Sequence, residues 1–497
     1  MTEIAKPGVV GGAETVVPLA AQQLKRDSLS MPEVLAQSVA NMAPSAAMAL
    51  LPLLVFLTAG NGTWVSFVIA IVLMACVGYC AAQFARRMTS SGSFYVWVTR
   101  ALGPAAGHTA GWALQLGYIA TGIATMYGFA IFGVDFLNRV SGGAIPATGA
   151  WLFVILFLID FFLPVAIAVM DMGLSTRTSL VLESISICII LVLCVAIWVH
   201  KGGIVDPAQF TLKGVGTGGL FVGVVLAVFA FVGFESAGSL GMEAKDPYRS
   251  VGRAILLSCI IVGLFYVVVS YSQVFGFEGT KGGFAKSGAP LPDLAVVVGL
   301  NPLAWILDLG IVCSMFACTL ACINAAARIS YTMAHDGMGH QALKQTHTRH
   351  RTPHRAIWTV AVPMIVITIV PVLFHQDPIL LTGYAGTVAT FGFMLAYALV
   401  AIGAPLFLAR LGQRWVPVAV VGTVGAVAMA FVFWSSWLPQ TIPGGLFPAL
   451  TGVAIWLPYI FIAWIAVGLA WYFIARSRDP QVTSRIGSQF ESAGQLD

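Results

Sequence analysis

The chain alternates between long apolar runs and short polar stretches. We number twelve runs, which span residues 34–58, 64–85, 105–138, 149–169, 178–199, 217–241, 252–275, 296–327, 356–374, 379–404, 416–437 and 451–474. Each is close to the roughly 20 residues that an α-helix needs to cross about 30 Å of hydrocarbon. Because lipid offers backbone groups no hydrogen-bond partners, these runs should be helical. The pattern therefore predicts an all-α membrane protein with about twelve transmembrane helices.

Composition narrows the possible partners. Hydrophobic residues make up 59% of the chain and charged residues 9%, whereas soluble domains carry roughly 25% charged residues. The net charge of +5 is spread out without a dense basic run, so we predict no nucleic-acid partner. The eight cysteines lie inside apolar runs without ligand spacing, so they read as buried small side chains. No metal site or cofactor is predicted, and the lipid bilayer is the expected surroundings.

The distribution of positive charge predicts the orientation. If the chain crosses the membrane at every run, 20 of the 25 lysines and arginines fall on the side of the N-terminus. The opposite side holds Arg139, Lys201, Lys213, Lys281 and Lys286. Cytoplasmic loops retain positive charge, so both termini should be cytoplasmic in a multi-pass protein of the inner (plasma) membrane. The N-terminal stretch lacks the pattern of a cleaved signal, so run 1 is expected to remain as an anchor.

Two runs contain residues that disfavour a continuous helix. Run 1 includes SVANMAPSAAMALLP, where Pro44 lacks an amide proton and its ring clashes with the preceding turn. Run 6 includes FAFVGFESAGSLG, where Gly233, Gly238 and Gly241 surround Glu235. If runs 1 to 5 and 6 to 10 form two repeats, the two interruptions correspond, as at the midplane solute sites of transporters. A simple kink is the alternative, since proline and glycine are common in membrane helices.

Four motifs resemble the amino acid/polyamine/organocation (APC) transporter superfamily. They are SSGSFYVWVTRALGP at 90–104 followed by Gly111 and Trp112, FAFVGFESAGSLGMEAKDPYRSVGRAI at 229–255, NAAARISYTMAHDGMGH at 324–340, and Pro353. In relatives these correspond to the second-to-third loop, the broken sixth helix and its exit, an arginine followed by a short cytoplasmic helix ending in Asp-Gly, and the start of the ninth helix. Four motifs in the correct order make the resemblance specific.

The resemblance implies a domain organisation. Residues 1–30 would form a cytoplasmic tail, 31–405 a ten-helix core of five-plus-five inverted repeats with broken helices 1 and 6, 406–475 helices 11 and 12, and 476–497 a second cytoplasmic tail. The chain departs from the family pattern at two places. NMAPS at 41–45 replaces the usual Gly-rich break and is closer to some putrescine importers. Ser186 occupies the place of a helix-5 lysine found in some proton-coupled members, with Glu183 one turn before it.

Peptide groups at a helix break lack intrahelical partners, and the half-helix ends carry partial charges that polar ligands can satisfy. We therefore place the substrate at the two interruptions, with the phenylalanines covering an apolar or cationic portion. The predicted binding residues are Asn41, Met42, Ala43, Pro44, Ser45, Ala230, Phe231, Gly233, Phe234 and Glu235. The resemblance adds Thr121 and Gly122 of helix 3 and Cys322 of helix 8.

Glu235, Glu183 and Asp160 are carboxylates that lie inside apolar runs. A charged side chain at the helix centre costs at least about 2.5 kcal/mol on insertion scales, so each is a candidate to bind a coupling proton, and Glu235 also to bind an amine. The alternatives are a structural carboxylate that caps the broken helix for Glu235, and a partner for a neighbouring polar helix face for Glu183 and Asp160.

These features predict a secondary active transporter (permease) for an amino acid or related organic amine, working by alternating access, with proton symport as the expected coupling. No GxxxxGK[ST] phosphate-binding loop occurs in the chain, so an ion gradient should supply the energy. No nucleophile, base or metal constellation suggests an enzyme. The alternatives are an amino acid or amine exchanger, a polyamine importer of the same fold, and a non-transport membrane sensor.

Overall fold

A computed structural model describes residues 24, 26–144, 150–280, 283–437, 452–488 and 491–492. These residues are almost entirely helical, which confirms the predicted all-α class. The first helices are α1 (Met31–Met42), α2 (Pro44–Ala59), α3 (Thr63–Ala85), α4 (Phe94–Leu102), α5 (Pro104–Val140), α6 (Ala150–Met170), α7 (Met172–His200), α8 (Pro207–Phe210) and α9 (Thr217–Phe229). The others are α10 (Pro247–Phe277), α11 (Pro290–Val297), α12 (Asn301–His335), α13 (His354–Leu373), α14 (Pro378–Arg410), α15 (Val416–Trp437), α16 (Leu457–Arg478) and α17 (Val482–Arg485).

The described residues contain 10 helical segments long and apolar enough to cross a membrane. One of them, Met31–Ala85, is 55 residues long because α1, α2 and α3 follow one another closely. Runs 1 and 2 both lie within it. Run 6 contributes only the shorter apolar helix Thr217–Phe229. The protein is therefore a multi-pass membrane protein, and the count of twelve transmembrane helices stays a prediction.

Two long helices form the centre of the bundle. α5 has 37 residues and α12 has 35, which corresponds to more than about 50 Å at about 1.5 Å per residue and exceeds the roughly 30 Å of hydrocarbon. α5 packs along both α12 and α14, and α3 packs along α10. α5 begins where Gly103 adopts a φ of 95° and Pro104 takes the first helical position, where a missing amide proton is harmless. These helices surround the two interrupted segments.

The backbone is interrupted at two facing places. Between α1 and α2, Ala43 adopts a left-handed conformation with φ 44° and ψ 59°, and Pro44 starts the new helix. After α9, the chain forms irregular turns and then a 3₁₀ turn at Ser236–Leu240. Gly233 has a φ of 98°, and a Cβ at this glycine would lie 2.3 Å from Asn41 Nδ2. Only glycine therefore allows the two interrupted segments to approach this closely.

One end of the bundle is held by a buried ion pair. Arg328 Nε and Nη2 donate to the two carboxylate oxygens of Glu243 at 2.6 and 3.0 Å, and both residues are buried. The charge pattern places Arg328 among the cytoplasmic charges, and the family resemblance implies a separate short helix after it. Instead, α12 continues through Arg328 to His335. The helix tolerates this arginine because Glu243 compensates the buried charge with paired hydrogen bonds.

Both ends of the described chain pack on this same region. Leu29 forms a β-bridge with Ala244, and strand β2 (Glu491–Ser492) pairs antiparallel with strand β1 (Met88–Thr89). Asp336, just after α12, accepts hydrogen bonds from the Tyr95 hydroxyl and the Gly487 amide, both at 2.7 Å. Burial raises the pKa of the Asp336 carboxyl to about 6. The segments before α1 and after α16 thus cover the end of the bundle that holds the Glu243–Arg328 pair.

The contact between α5 and α14 depends on a small residue. A Cβ at Gly392 would lie 2.5 Å from the Ala113 carbonyl oxygen and 2.9 Å from the Gly117 amide nitrogen. We expect Gly392→Ala to force the helices apart and to destabilise the protein by ~1–3 kcal/mol, as overpacking does. The measurement is the melting temperature in detergent. Gly383→Ala on the same helix is the control, because no heavy atom of the described residues lies within 4 Å of the added Cβ. An equal loss in both variants contradicts the prediction.

Candidate functional site

A cavity of about 180 Å³ adjoins the interruption between α1 and α2. It is smaller than the roughly 300–1,000 Å³ of pockets for drug-sized ligands. Its described lining comes from α1, α2, α5, α9 with the turn after it, α12 and α14. The lining residues are Asn41, Met42, Ala43, Ala46, Ala47, Leu50, Leu51, Thr121, Ala124, Thr125, Phe229, Ala230, Val232, Met315, Cys318, Thr382, Gly386, Ala389 and Thr390. None of these residues is charged, so the walls suit a small, largely apolar solute.

Five of the thirteen predicted binding residues line this cavity: Asn41, Met42, Ala43, Thr121 and Ala230. The others lie outside its described lining. They are Pro44, Ser45, Gly122, Phe231, Gly233, Phe234, Glu235 and Cys322. Sequence reasoning missed the contribution of α14, since run 10 contains no break and no buried charge. The available signal was the row of small and hydroxyl residues at positions 382, 386, 389 and 390, which recur at helical spacing.

The side-chain carboxylate of Glu183, a residue of α7, contacts the N-terminus of α2. Its Oε1 accepts hydrogen bonds from the Ser45 amide at 3.3 Å, the Ser45 hydroxyl at 3.2 Å and the Ser314 hydroxyl at 3.1 Å. The Ala46 amide donates to the Ser314 oxygen at 3.4 Å, and Pro44 has no amide proton. The protein's own carboxylate therefore occupies the positive end of the half-helix dipole, and Glu183 Oε2 has no hydrogen-bond partner among the described residues.

Other side chains hold the carbonyl groups at the interruptions. The Tyr266 hydroxyl donates to the Ala230 carbonyl at 2.6 Å and to the Met42 carbonyl at 3.3 Å. The Cys318 thiol donates to the Asn41 carbonyl at 3.3 Å, and the Cys322 thiol to the Asn41 side-chain oxygen at 3.0 Å. Cys322 thus supports the cavity wall through Asn41 rather than contacting the cavity. The amides at the start of α2 and the carbonyls at the end of α1 thus have hydrogen-bond partners within the protein, as a bilayer requires.

Glu235 lies behind the cavity and is fully buried. The Tyr118 hydroxyl donates to Oε1 at 2.5 Å, and the Tyr397 hydroxyl donates to Oε2. Tyr397 also accepts a hydrogen bond from the Gly233 amide at 3.0 Å. Phe234 packs edge-on against Tyr397. Since both carboxylate oxygens are engaged and neither reaches the cavity, this geometry matches the structural alternative for Glu235 more closely than an amine site.

Asp160 of α6 is also fully buried. Its Oδ2 accepts a hydrogen bond from the Thr319 hydroxyl at 2.9 Å. The Thr319 oxygen lies 2.9 Å from the Thr125 hydroxyl, and Thr125 lines the cavity. Asp160 is therefore connected to the cavity through two hydroxyl groups, although it lies on a helix that does not line the cavity.

Two interrupted segments inside a membrane bundle, with a small cavity beside them and buried carboxylates near it, are features expected of a membrane transporter. The family model described as amino acid permease matches residues 30–467. The chain belongs to this family of transporters, within the APC superfamily that the sequence motifs resemble. The family and its relatives are transporters rather than enzymes, in agreement with the sequence prediction.

Curated relatives are identical to this chain at about one residue in four of the aligned positions. A branched-chain amino acid permease (BcaP) of Bacillus subtilis is 27% identical over 61% of this chain and 66% of its own length, so this match spans just under two thirds of that relative. A branched-chain amino acid permease (BcaP) of Lactococcus lactis is 25% identical over 81% of this chain and 87% of its own length. The mouse cationic amino acid transporter 4 is 26% identical over 63% of this chain and 50% of its own length. These similarities support an amino acid transporter.

The two tyrosines at Glu235 generate a stability prediction. We expect Tyr397→Phe to leave Glu235 Oε2 and the Gly233 amide without their partner and to destabilise the protein by ~1–3 kcal/mol, the cost of buried unsatisfied groups. Thermal unfolding monitored by fluorescence-detected size exclusion measures the loss. Tyr384→Phe is the matched control, because the Tyr384 hydroxyl has no hydrogen bond among the described residues. If Tyr397→Phe unfolds at the wild-type temperature, the hydrogen bonds of Tyr397 do not stabilise the segment after α9.

Proposed function

We propose that this protein imports a small neutral amino acid with an aliphatic side chain, by symport with a proton. The observation that carries the substrate class is the cavity, whose described lining includes Met42, Leu50, Leu51, Val232 and Met315 and no charged residue. Apolar walls with a few hydroxyl groups favour an aliphatic side chain over a charged one. Two of the relatives named above are branched-chain amino acid permeases, which agrees with this choice.

A cationic amine or polyamine fits the cavity less well. A buried ammonium needs a nearby anion, since an uncompensated charge inside a protein is costly. The carboxylate predicted to supply that anion, Glu235, is engaged by Tyr118 and Tyr397 behind the cavity wall. The polyamine importer considered from the sequence therefore becomes the second candidate function, supported by the NMAPS break and not by the cavity.

The substrate's α-carboxylate would bind at the N-terminus of α2, where Ala43 and Ala46 line the cavity and Ser45 would have to turn from Glu183 toward the substrate. The amide and hydroxyl of Ser45 are the donors there, and they point at Glu183 Oε1. A substrate carboxylate and an ionised Glu183 would compete for these donors and would repel each other as like charges. Substrate binding is therefore favoured when Glu183 carries a proton. Because the proton and the substrate then bind together, this competition couples uptake to the proton gradient.

The two ends of the cavity suggest the direction of access. Leu50, Leu51 and Thr382 lie toward the end of the bundle where α14 begins, which is the external side if the N-terminus is cytoplasmic. The Glu243–Arg328 pair and the packed end segments close the other side. We infer that the molecule is arranged to receive solute from outside, and that release inward requires Glu243 and Arg328 to separate.

Blocking the cavity tests the substrate site. We expect Gly386→Leu to fill the cavity and to abolish binding of radiolabelled leucine, isoleucine and valine to purified protein. A Cβ at Gly386 meets no heavy atom of the described residues within 4 Å, so the leucine side chain can occupy the space. Gly383→Leu, one turn earlier and outside the lining, is the control and should bind as wild type. Unchanged binding in the Gly386 variant places the substrate elsewhere.

Replacing the carboxylate tests the coupling. In proteoliposomes, wild-type uptake should rise as external pH falls, whereas Glu183→Gln should remove most of this dependence while substrate still binds, because a glutamine stays neutral at every pH. Glu278→Gln, on the exposed end of α10, should behave as wild type. If a pH gradient drives uptake by Glu183→Gln as strongly as uptake by the wild type, Glu183 is not the coupling residue. Counterflow without any gradient distinguishes an exchanger from a symporter.

A further inference from the structure

A second buried carboxylate, Asp160, is left without a role by the proposed mechanism. It is fully buried in α6, within a helix that crosses the membrane. One oxygen, Oδ2, contacts Thr319, and the other, Oδ1, has no hydrogen-bond partner among the described residues. An ionised carboxylate with a single neutral donor is costly inside a membrane. Such a residue is rarely kept for packing alone, since any apolar side chain of similar size avoids this cost.

The hydroxyls of Thr319 and Thr125 form a short chain from Asp160 to the cavity. Each hydroxyl has one proton to donate, so the chain can point in either of two directions. When Asp160 is ionised, Thr319 donates to it and Thr125 donates to Thr319. When Asp160 is protonated, it donates to Thr319, and Thr319 donates to Thr125. The Thr125 proton is then directed at the Gly122 carbonyl, 3.0 Å away, or at a solute in the cavity.

The direction of this chain therefore decides what Thr125 offers to a solute. With protonated Asp160, Thr125 can donate a hydrogen bond to an oxygen of the substrate. With ionised Asp160, Thr319 donates to the carboxylate, and its oxygen becomes an acceptor that competes with a solute for the Thr125 proton. Thr319 also has an alternative acceptor, the Met315 carbonyl at 3.2 Å, so the chain can reverse without leaving that hydroxyl unpaired.

The helices around α6 leave Asp160 without a charged partner among the described residues. α5, α7, α12 and α13 pack against it. Titratable and charged side chains on these helices engage other groups: His108 with the Gly468 carbonyl, Tyr118 with Glu235, Tyr127 with the Ile367 and Thr368 carbonyls, Glu183 with Ser45 and Ser314, Arg139 with Asp308, Arg177 with Glu33, Arg328 with Glu243, and Cys318 and Cys322 with Asn41. Thr319 is thus the described contact through which the charge of Asp160 can be sensed.

We propose that Asp160 is a second proton site of this transporter, separate from Glu183, and that Thr319 and Thr125 transmit its protonation state to the substrate cavity. Protonation of Asp160 removes the Thr319 oxygen as a competing acceptor, so that the Thr125 proton can be donated to a substrate oxygen and the substrate binds more tightly. By reciprocity, substrate binding favours the protonated form of Asp160. Asp160 and Thr319 act as positioning residues, because only Thr125 reaches the cavity. The identity of the ligand in this proposal rests on the proposed function, whereas the protonation of Asp160 does not.

The first experiment measures substrate affinity against pH in a Glu183→Gln background, which removes the other carboxylate. Leucine is the probe, in acidic and in mildly alkaline buffer. We expect affinity to fall as pH rises by a factor of about 2 to 10, the equivalent of one hydrogen bond. Adding Asp160→Asn or Thr319→Val should make the profile flat, whereas Thr319→Ser, which keeps the hydroxyl, should restore it. A profile that is flat before these changes, or unaffected by them, overturns the proposal.

The second experiment needs no substrate and therefore separates this proposal from the proposed function. Infrared difference spectra of the Glu183→Gln protein between acidic and alkaline buffer should contain the carbonyl stretch of a protonated carboxylic acid. Asp160→Asn should remove this band, and Thr319→Val should shift it because its hydrogen bond is lost. If no band titrates and disappears with Asp160→Asn, Asp160 is not a proton site, whatever the protein transports. Thr319→Val covers the case in which Asp160→Asn does not fold.

Discussion

A helix that stops inside a bilayer exposes peptide groups that lipid cannot satisfy. In this protein the interruption at Ala43 exposes the first amides of α2 and the last carbonyls of α1, and side chains distant in sequence provide the partners. Glu183 and Ser314 accept from the Ser45 and Ala46 amides, while Tyr266 donates to the Met42 carbonyl. The position of the cavity, the proposed coupling residue and the packing of the surrounding helices all depend on this requirement.

The same requirement explains why the buried carboxylates of Glu235, Glu183 and Asp160 differ in their surroundings. Glu235 is held by two tyrosines, which fix the segment after α9 and leave no free oxygen for a solute. Glu183 and Asp160 each keep one oxygen without a described partner. A carboxylate that is fully engaged suits a structural role, whereas one that is half engaged can change its protonation state without breaking the fold. The distribution of hydrogen bonds thus separates a supporting residue from two candidates for coupling.

The sequence predicted the segments better than their contacts. Run 2, at 64–85, differs by one residue from Thr63–Ala85, because apolar length alone decides where a chain can cross a membrane. Run 8 stops at 327, but α12 extends to His335, since the charge of Arg328 is compensated by Glu243, 85 residues away in the chain.

The same difference between local features and long-range contacts applies to the candidate site. Asn41, Met42 and Ala43 reach the cavity, as the local proline and small residues indicated. By contrast, the engagement of Glu235 by Tyr118 and Tyr397 joins residues 117 and 162 positions apart. The α14 side of the cavity likewise depends on how α14 packs against α5, and no local pattern of breaks or charges in run 10 could reveal it.

The most direct test of this account is the number of protons that the purified protein takes up when it binds substrate. Calorimetric titration with leucine in buffers of different ionisation enthalpy gives this number without membranes or gradients. If the substrate carboxylate replaces the Glu183 carboxylate at the start of α2, binding should be accompanied by net proton uptake, and the uptake should be smaller when residue 183 is glutamine. Binding that takes up no proton, or releases one, would contradict the competition for the Ser45 donors on which the mechanism depends.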